Sequence, residues 1–141
     1  MMHYNIFGLN RTATTAVEFA FLAPVFLLLV LGMTAYGILL GATHSVQQIA
    51  ADAARLAVAG ANAAERTAIV ADFAGRNTGN YAFIDPDRLD LAIADHPVEP
   101  GRLIVSARYD AAHLPIWGMV SMLPLPGKLI ERNSTIRAGG L

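Results

Sequence analysis

The sequence contains no cysteine. That excludes disulfide staples, a CxxC redox site and any thiolate metal centre. Charge is scarce as well. Asp, Glu, Lys and Arg make up 15% of the residues, against about 25% in ordinary globular chains. Between Arg11 and Asp52 the only charged residue is Glu18. The ten basic residues are nine Arg and one Lys, scattered along the chain, and net charge is -1. No basic arm for nucleic acid is present, so none is expected as a partner. His3, His44, His96 and His113 stand alone, without HxH or HExxH spacing. GxSxG, a phosphate loop and GxGxxG are all missing. The expectation is a protein that is not an enzyme and carries no cofactor and no metal.

What the chain has in excess is apolar surface. Hydrophobic residues are 55% of 141, and mean hydropathy is +0.45. Phe19 to Leu40 reads FAFLAPVFLLLVLGMTAYGILL, 22 residues without a charge. As a helix this run spans roughly 33 Å, against about 30 Å of hydrocarbon. A helix apolar on every face is hard to bury inside so small a protein. A membrane span is therefore expected, with the lipid bilayer as a partner. The run exceeds the roughly 7 to 15 residues of a signal-peptide core, although the small residues Gly41-Ala42-Thr43 follow it. Arg11 precedes the span, while Asp52 and Arg55 cancel behind it. Positive-inside logic then places the N-terminus in the cytoplasm. Pro24 removes one helix hydrogen bond and is expected to bend the helix. Gly37-x-x-x-Gly41 fits a small-residue packing motif, and glycine is also simply common in membrane helices.

Glu18 at the head of the run admits two readings. It sits at the interface, helped by the helix dipole, or it pairs with a positive charge from a partner, since a carboxylate in the membrane core costs about 2.5 kcal/mol or more. Ala16-Val17-Glu18-Phe19-Ala20-Phe21-Leu22-Ala23-Pro24, followed by a Leu/Val run, resembles the opening of TadE-like (TadE/TadG-like) proteins. These are minor pilins, or pseudopilins, of the tight-adherence (Flp-type) pilus system. Gln48-Ile49-Ala50-Ala51-Asp52-Ala53-Ala54-Arg55 is similar to the Ala-rich helix that follows in that family. The resemblance implies processing by a prepilin peptidase between Ala13 and Thr14, four residues before Glu18. The family most often has Gly before the cut, where this chain has Ala13. It also implies that Glu18 neutralises the new amine of an adjacent pilin subunit, removing two buried charges together.

Past the span, Val46, Ile49, Ala50, Ala53, Leu56 and Ala57 keep helical spacing. This predicts one continuous helix from Thr14 to Ala59, stopped near Gly60. Asn62-Ala-Ala-Glu65 reads as a capping box opening a second helix to about Ala74. Gly75, Asn77, Gly79 and Asn80 predict a loop. Leu89, Leu91 and Ile93 alternate with polar or small residues, as do Leu103, Val105, Ala107 and Tyr109. With His96 to Gly101 between them they predict an antiparallel hairpin. Leu114 to Leu125 is apolar and Pro-rich, too short and broken to span a membrane, and suits a place over the sheet, at the membrane surface or against a partner. Leu129 to Ala138 predicts a third strand. Asp85, Asp87, Asp90 and Asp95 are explained by capping and turns; Leu89 and Asp90 fill the positions where a calcium loop needs an oxygen ligand and Gly, and a looser calcium site stays open.

The expected fold is α+β: a long transmembrane helix continuing as an amphipathic helix, a short helix, and a small antiparallel sheet of about three strands. The expected division is a cytoplasmic leader at 1–13, a transmembrane helix at 14–41 and an extracytoplasmic domain at 42–141. The expected function is a TadE-like minor pilin or pilus assembly protein of the bacterial inner membrane, partnered by other pilin or pseudopilin subunits. The alternative is a single-pass, membrane-anchored binding or sensory module unrelated to pili. The site residues are Ala13 and Thr14 for processing, Glu18 for charge pairing, and Pro24, Gly37 and Gly41 for bending or packing.

Overall fold

A single helix of 49 residues, α1 (Leu9–Ala57), dominates the computed structural model. The structure describes residues 9–119 and 124–138, with side chains from residue 13. The first part of the leader, Met122 and the Gly139-Gly140-Leu141 tail lie outside the described residues. At 1.5 Å per residue α1 is about 73 Å long. It passes unbroken through Pro24 and through both expected boundaries, 13/14 and 41/42. It ends where Ala59 and Gly60 donate back to the carbonyls of Leu56 and Ala57, at 3.1 Å each.

The second helix, α2 (Ala63–Asn77), opens on the expected cap. Glu65 N donates to Asn62 Oδ1 at 2.9 Å. The Glu65 carboxylate reaches back to Ala61 N at 2.9 Å, one residue upstream of its usual target in a capping box. The helix continues three residues beyond the expected end at Ala74, and Gly75 and Asn77 lie inside it. Its last turn is held by buried Phe73 and by the Arg76–Asp72 ion pair at 2.7 Å. These tertiary and i,i+4 contacts outweigh the weak helix preference of Gly and Asn.

Three strands follow: β1 (Leu89–Asp95), β2 (Arg102–Asp110) and β3 (Leu129–Arg137). They form an antiparallel sheet in the order β1-β2-β3. Leu91 pairs with Ala107 and Ala107 with Arg132, which sets the register. The β1–β2 turn is fixed by His96, whose Nδ1 accepts from the Val98 and Glu99 amides. Gly101 closes it at φ +77°, a backbone region that suits glycine. A four-residue helix, α3 (Ile116–Met119), lies in the apolar segment before β3. Leu114 and Ile116 are buried there in a cluster shared with α1, β2 and β3.

The alternation read from the sequence is the burial pattern. Leu103, Val105, Ala107 and Tyr109 of β2 are all buried against helices. The opposing stripe of α1 is Ala35, Leu39, Ala42, Val46, Ile49, Ala50, Ala53, Ala54 and Ala57, all at 5% exposure or less. Six of these nine are alanine, so the sheet approaches the helix closely. The fold is α+β with a long apolar helix, a second helix and a three-stranded antiparallel sheet.

Candidate assembly surface

From Ala16 to Val30, α1 is exposed at every residue but half-buried Ala23. Phe19, Phe21 and Phe26 are 67 to 75% exposed. The most apolar 18-residue window of the helix is only 6% buried. Exposed apolar surface of this extent is far beyond the few hundred Å² of a typical soluble monomer. This helix is long and apolar enough to cross a membrane. Glu18 stands exposed at the head of this surface, and Ala13, Thr14 and Pro24 are exposed on it too. Pro24 brings no N–H to the carbonyl of Ala20, one turn back. The Thr34 hydroxyl is satisfied inside the helix, donating to Val30 O at 2.9 Å.

The two glycines of the packing motif meet different surroundings. A Cβ at Gly37 meets nothing within 4 Å, whereas a Cβ at Gly41 lies 2.7 Å from the Phe83 ring. The close approach at Gly41 is thus used within the chain. Phe83 is held at φ +63°, the described non-glycine residue with positive φ. That conformation costs a non-glycine residue about 1 kcal/mol or more. Its carbonyl accepts from the Tyr109 hydroxyl at 2.8 Å. The same hydroxyl receives Asp85 N at 3.1 Å and lies 3.1 Å from His113 Nε2. Burial pushes the Tyr109 hydroxyl up from the ordinary tyrosine range.

Higher on α1, Asp52 accepts twice. The Tyr81 hydroxyl donates to one oxygen at 2.7 Å and Arg55 to the other at 2.8 Å. Together with Leu56, Phe73 and Asn77 they line an open cleft between α1 and α2. Desolvation, and then the Asp52 carboxylate, push the Tyr81 phenol up to about 12 from 10.0. Folded protein therefore holds this proton more tightly than unfolded chain. The stabilisation is complete below pH 10 and is lost as pH rises toward 12. Melting temperature should fall across that window, and less steeply in Tyr81→Phe. An equal slope in the variant would remove Tyr81 as the cause.

Two acids at this end of the sheet, Asp85 before β1 and Asp110 at the end of β2, are local caps. Asp85 accepts from Asp87 N at 3.2 Å, and Asp110 from Ala112 N at 2.9 Å. Arg88 lies 3.4 Å from Asp85 and 3.5 Å from Asp110. Among the described residues, no three His, Cys, Asp or Glu converge as metal ligands. Sequence reasoning did not find the Tyr109–Phe83 latch or the Tyr81–Asp52 pair. Nor did it find the bond from Tyr36 to the Pro124 carbonyl, 2.6 Å long. Their one signal is tyrosine itself, which seeks a hydroxyl partner when buried.

These features define a class: an α+β domain built on the C-terminal part of one helix, whose N-terminal part is exposed and apolar. The model of the TadE-like protein family matches residues 13–55. The match lies within α1, so this helix is similar to the corresponding segment of TadE-like proteins. No curated protein and no solved structure gives a significant match.

Proposed function

We propose that this chain is a minor pilin or pilus assembly protein of the bacterial inner membrane. It works by helix packing and subunit contacts, not by catalysis. One observation carries the proposal: the TadE-like match falls on a helix whose residues 16–30 are exposed at every position but half-buried Ala23. Such a surface needs lipid or other helices around it. In this reading α1 crosses the membrane with its N-terminus in the cytoplasm, and the sheet lies outside.

Glu18 is then the pairing group. Cleavage between Ala13 and Thr14 by a prepilin peptidase creates an amine one helical turn from Glu18. In an assembly that amine meets Glu18 of the adjacent subunit. Breaking a buried pair by removing one partner costs about 3 to 5 kcal/mol, a factor of about 100 or more in association. Glu18→Gln should therefore reduce incorporation into pili to that extent and leave membrane insertion unchanged. Pilus counts together with membrane fractionation measure both. Normal piliation in the variant would sink the pairing role. Mass spectrometry of the mature chain tests the processing step, with an N-terminus at Thr14 expected. A chain cut after the apolar run would remove the membrane anchor and the proposal with it.

A further inference from the structure

We propose that the base of the outer domain, formed by Tyr36, Trp117, Met119, Pro124 and Leu125, is itself a lipid-contacting surface, seated in the interfacial layer of the bilayer that α1 crosses. This rests on the reading of α1 as a membrane span and adds a second point of membrane contact.

The length of bare helix requires it. About 30 Å of hydrocarbon takes about 20 residues. Counted from the residue after Glu18, they run from Phe19 to Ile38. The outer domain already packs on α1 from Gly32 upward: Gly32, Ala35 and Leu39 are buried. Leu31, Ile38, Trp117 and Leu125 pack around that same cluster. The last seven residues of the span, about 10 Å of rise, thus carry their own domain on one side. On the other side Met33 and Leu40 remain 69% and 64% exposed.

Moving the helix inward does not relieve the overlap cheaply. To keep the domain clear of the bilayer, the span must end at Leu31 and begin at Thr12. Glu18 would then lie about 9 Å inside the hydrocarbon. An acid deep in a span costs about 2.5 kcal/mol or more. Immersing an apolar base carries no such cost and removes apolar area from water, at about 25 cal/mol per Å².

The chemistry of the base fits that layer. Trp117 is the single tryptophan and Lys128 the single lysine of the chain. The Lys128 ammonium stands 5.6 Å from the centre of the Trp117 ring. Residues 114–128 contain no acid. Trp and Tyr favour the membrane–water boundary, and a lysine there extends its charge to the headgroups. The polar tips are already paired: Trp117 Nε1 donates to Ala111 O at 2.7 Å, and the Tyr36 hydroxyl to Pro124 O at 2.6 Å. Pro115, Pro124 and Pro126 bring no N–H that water must satisfy.

The absence of cysteine allows single-site spin labelling of the full chain. Phe26→Cys, Met119→Cys and Val98→Cys are labelled and reconstituted in phosphatidylethanolamine–phosphatidylglycerol vesicles. Accessibility to oxygen is compared with that to a water-soluble nickel complex. Met119 and Val98 are 37% and 79% exposed, so neither substitution empties the core. Phe26 should report hydrocarbon, Met119 an oxygen-rich but shallower layer, and Val98 water. In the natural chain, Trp117 emission should be quenched by lipids brominated near the top of the acyl chain. Met119 as nickel-accessible as Val98, with Phe26 still in hydrocarbon, overturns the lipid-contacting base and leaves the span standing. Phe26 in water overturns the span and the base together.

Discussion

Ala53→Asp should unfold the α+β domain. Ala53 is fully buried where α1 meets the sheet, among Ile49, Ala57, Val70 and Val105. The side chain that replaces it is larger and ionised, and its neighbours in that cluster are apolar. Overpacking alone costs about 1 to 3 kcal/mol. Desolvating an unpaired carboxylate adds several more, even with its pKa raised to escape the charge. The sum approaches the 5 to 15 kcal/mol by which a domain is usually stable. Circular dichroism in detergent should lose the strand signal while α1 keeps much of its helix, which detergent supports. Protease should then reach the sheet. Ala64→Asp, on an exposed first turn of α2, should leave both readouts unchanged, because an acid there suits the helix dipole. A protected sheet in Ala53→Asp would mean that the helix–sheet seam is not what holds the domain.

The second large effect is expected at Tyr109. Tyr109→Ala removes a ring with no exposed surface, at about 3 to 5 kcal/mol by comparison with other large aromatic truncations. Tyr109→Phe keeps the ring and removes the hydroxyl. The Phe83 carbonyl then loses a donor and Asp85 N an acceptor. Leaving such groups unpaired costs about 1 to 3 kcal/mol. For a domain of this size each kcal/mol lowers melting temperature by about 4 to 8 °C. The two variants should thus fall in the order Phe, then Ala. Tyr109→Phe should also release the strained Phe83 turn, seen as faster amide exchange over residues 81–85. Unchanged exchange there would show that the turn holds without the latch.

Much of this fold was legible because its signals are local. The continuation of α1 followed from Val46, Ile49, Ala50, Ala53, Leu56 and Ala57 at helical spacing; all are buried except Leu56, which is 44% exposed. The Asn62–Glu65 cap is a four-residue motif and was found as such. The hairpin followed from alternation, and β1 and β2 pair antiparallel as expected; the third strand, expected over Leu129 to Ala138, runs over Leu129–Arg137. The end of α2 was misplaced because Gly75 and Asn77 read as breakers, while Phe73 and the Asp72–Arg76 pair keep the last turn. The latches were not legible. Tyr81 and Asp52 lie 29 residues apart, Tyr109 and Phe83 26, and Tyr36 and Pro124 88. No periodicity reports a contact between such distant positions. Glu18, Pro24 and the two glycines were visible as residue types. Only the structure shows that Gly41 is covered by Phe83 and Gly37 is open.

The alanine seam on α1 also decides from which direction a neighbour can come. Above Gly32 one side of the helix is occupied by the chain's own sheet. The free side is a narrow strip through Met33, Gly37, Leu40, His44, Gln48 and Arg55, all exposed. It runs from apolar to polar as it leaves the bare half. Between Glu18 and Val30 every azimuth but that of half-buried Ala23 is open. A companion helix is thus free to approach the lower half from almost any bearing, yet can follow α1 to its upper end along a single track. The lower half is permissive, and the upper half works as a keyway that admits one orientation.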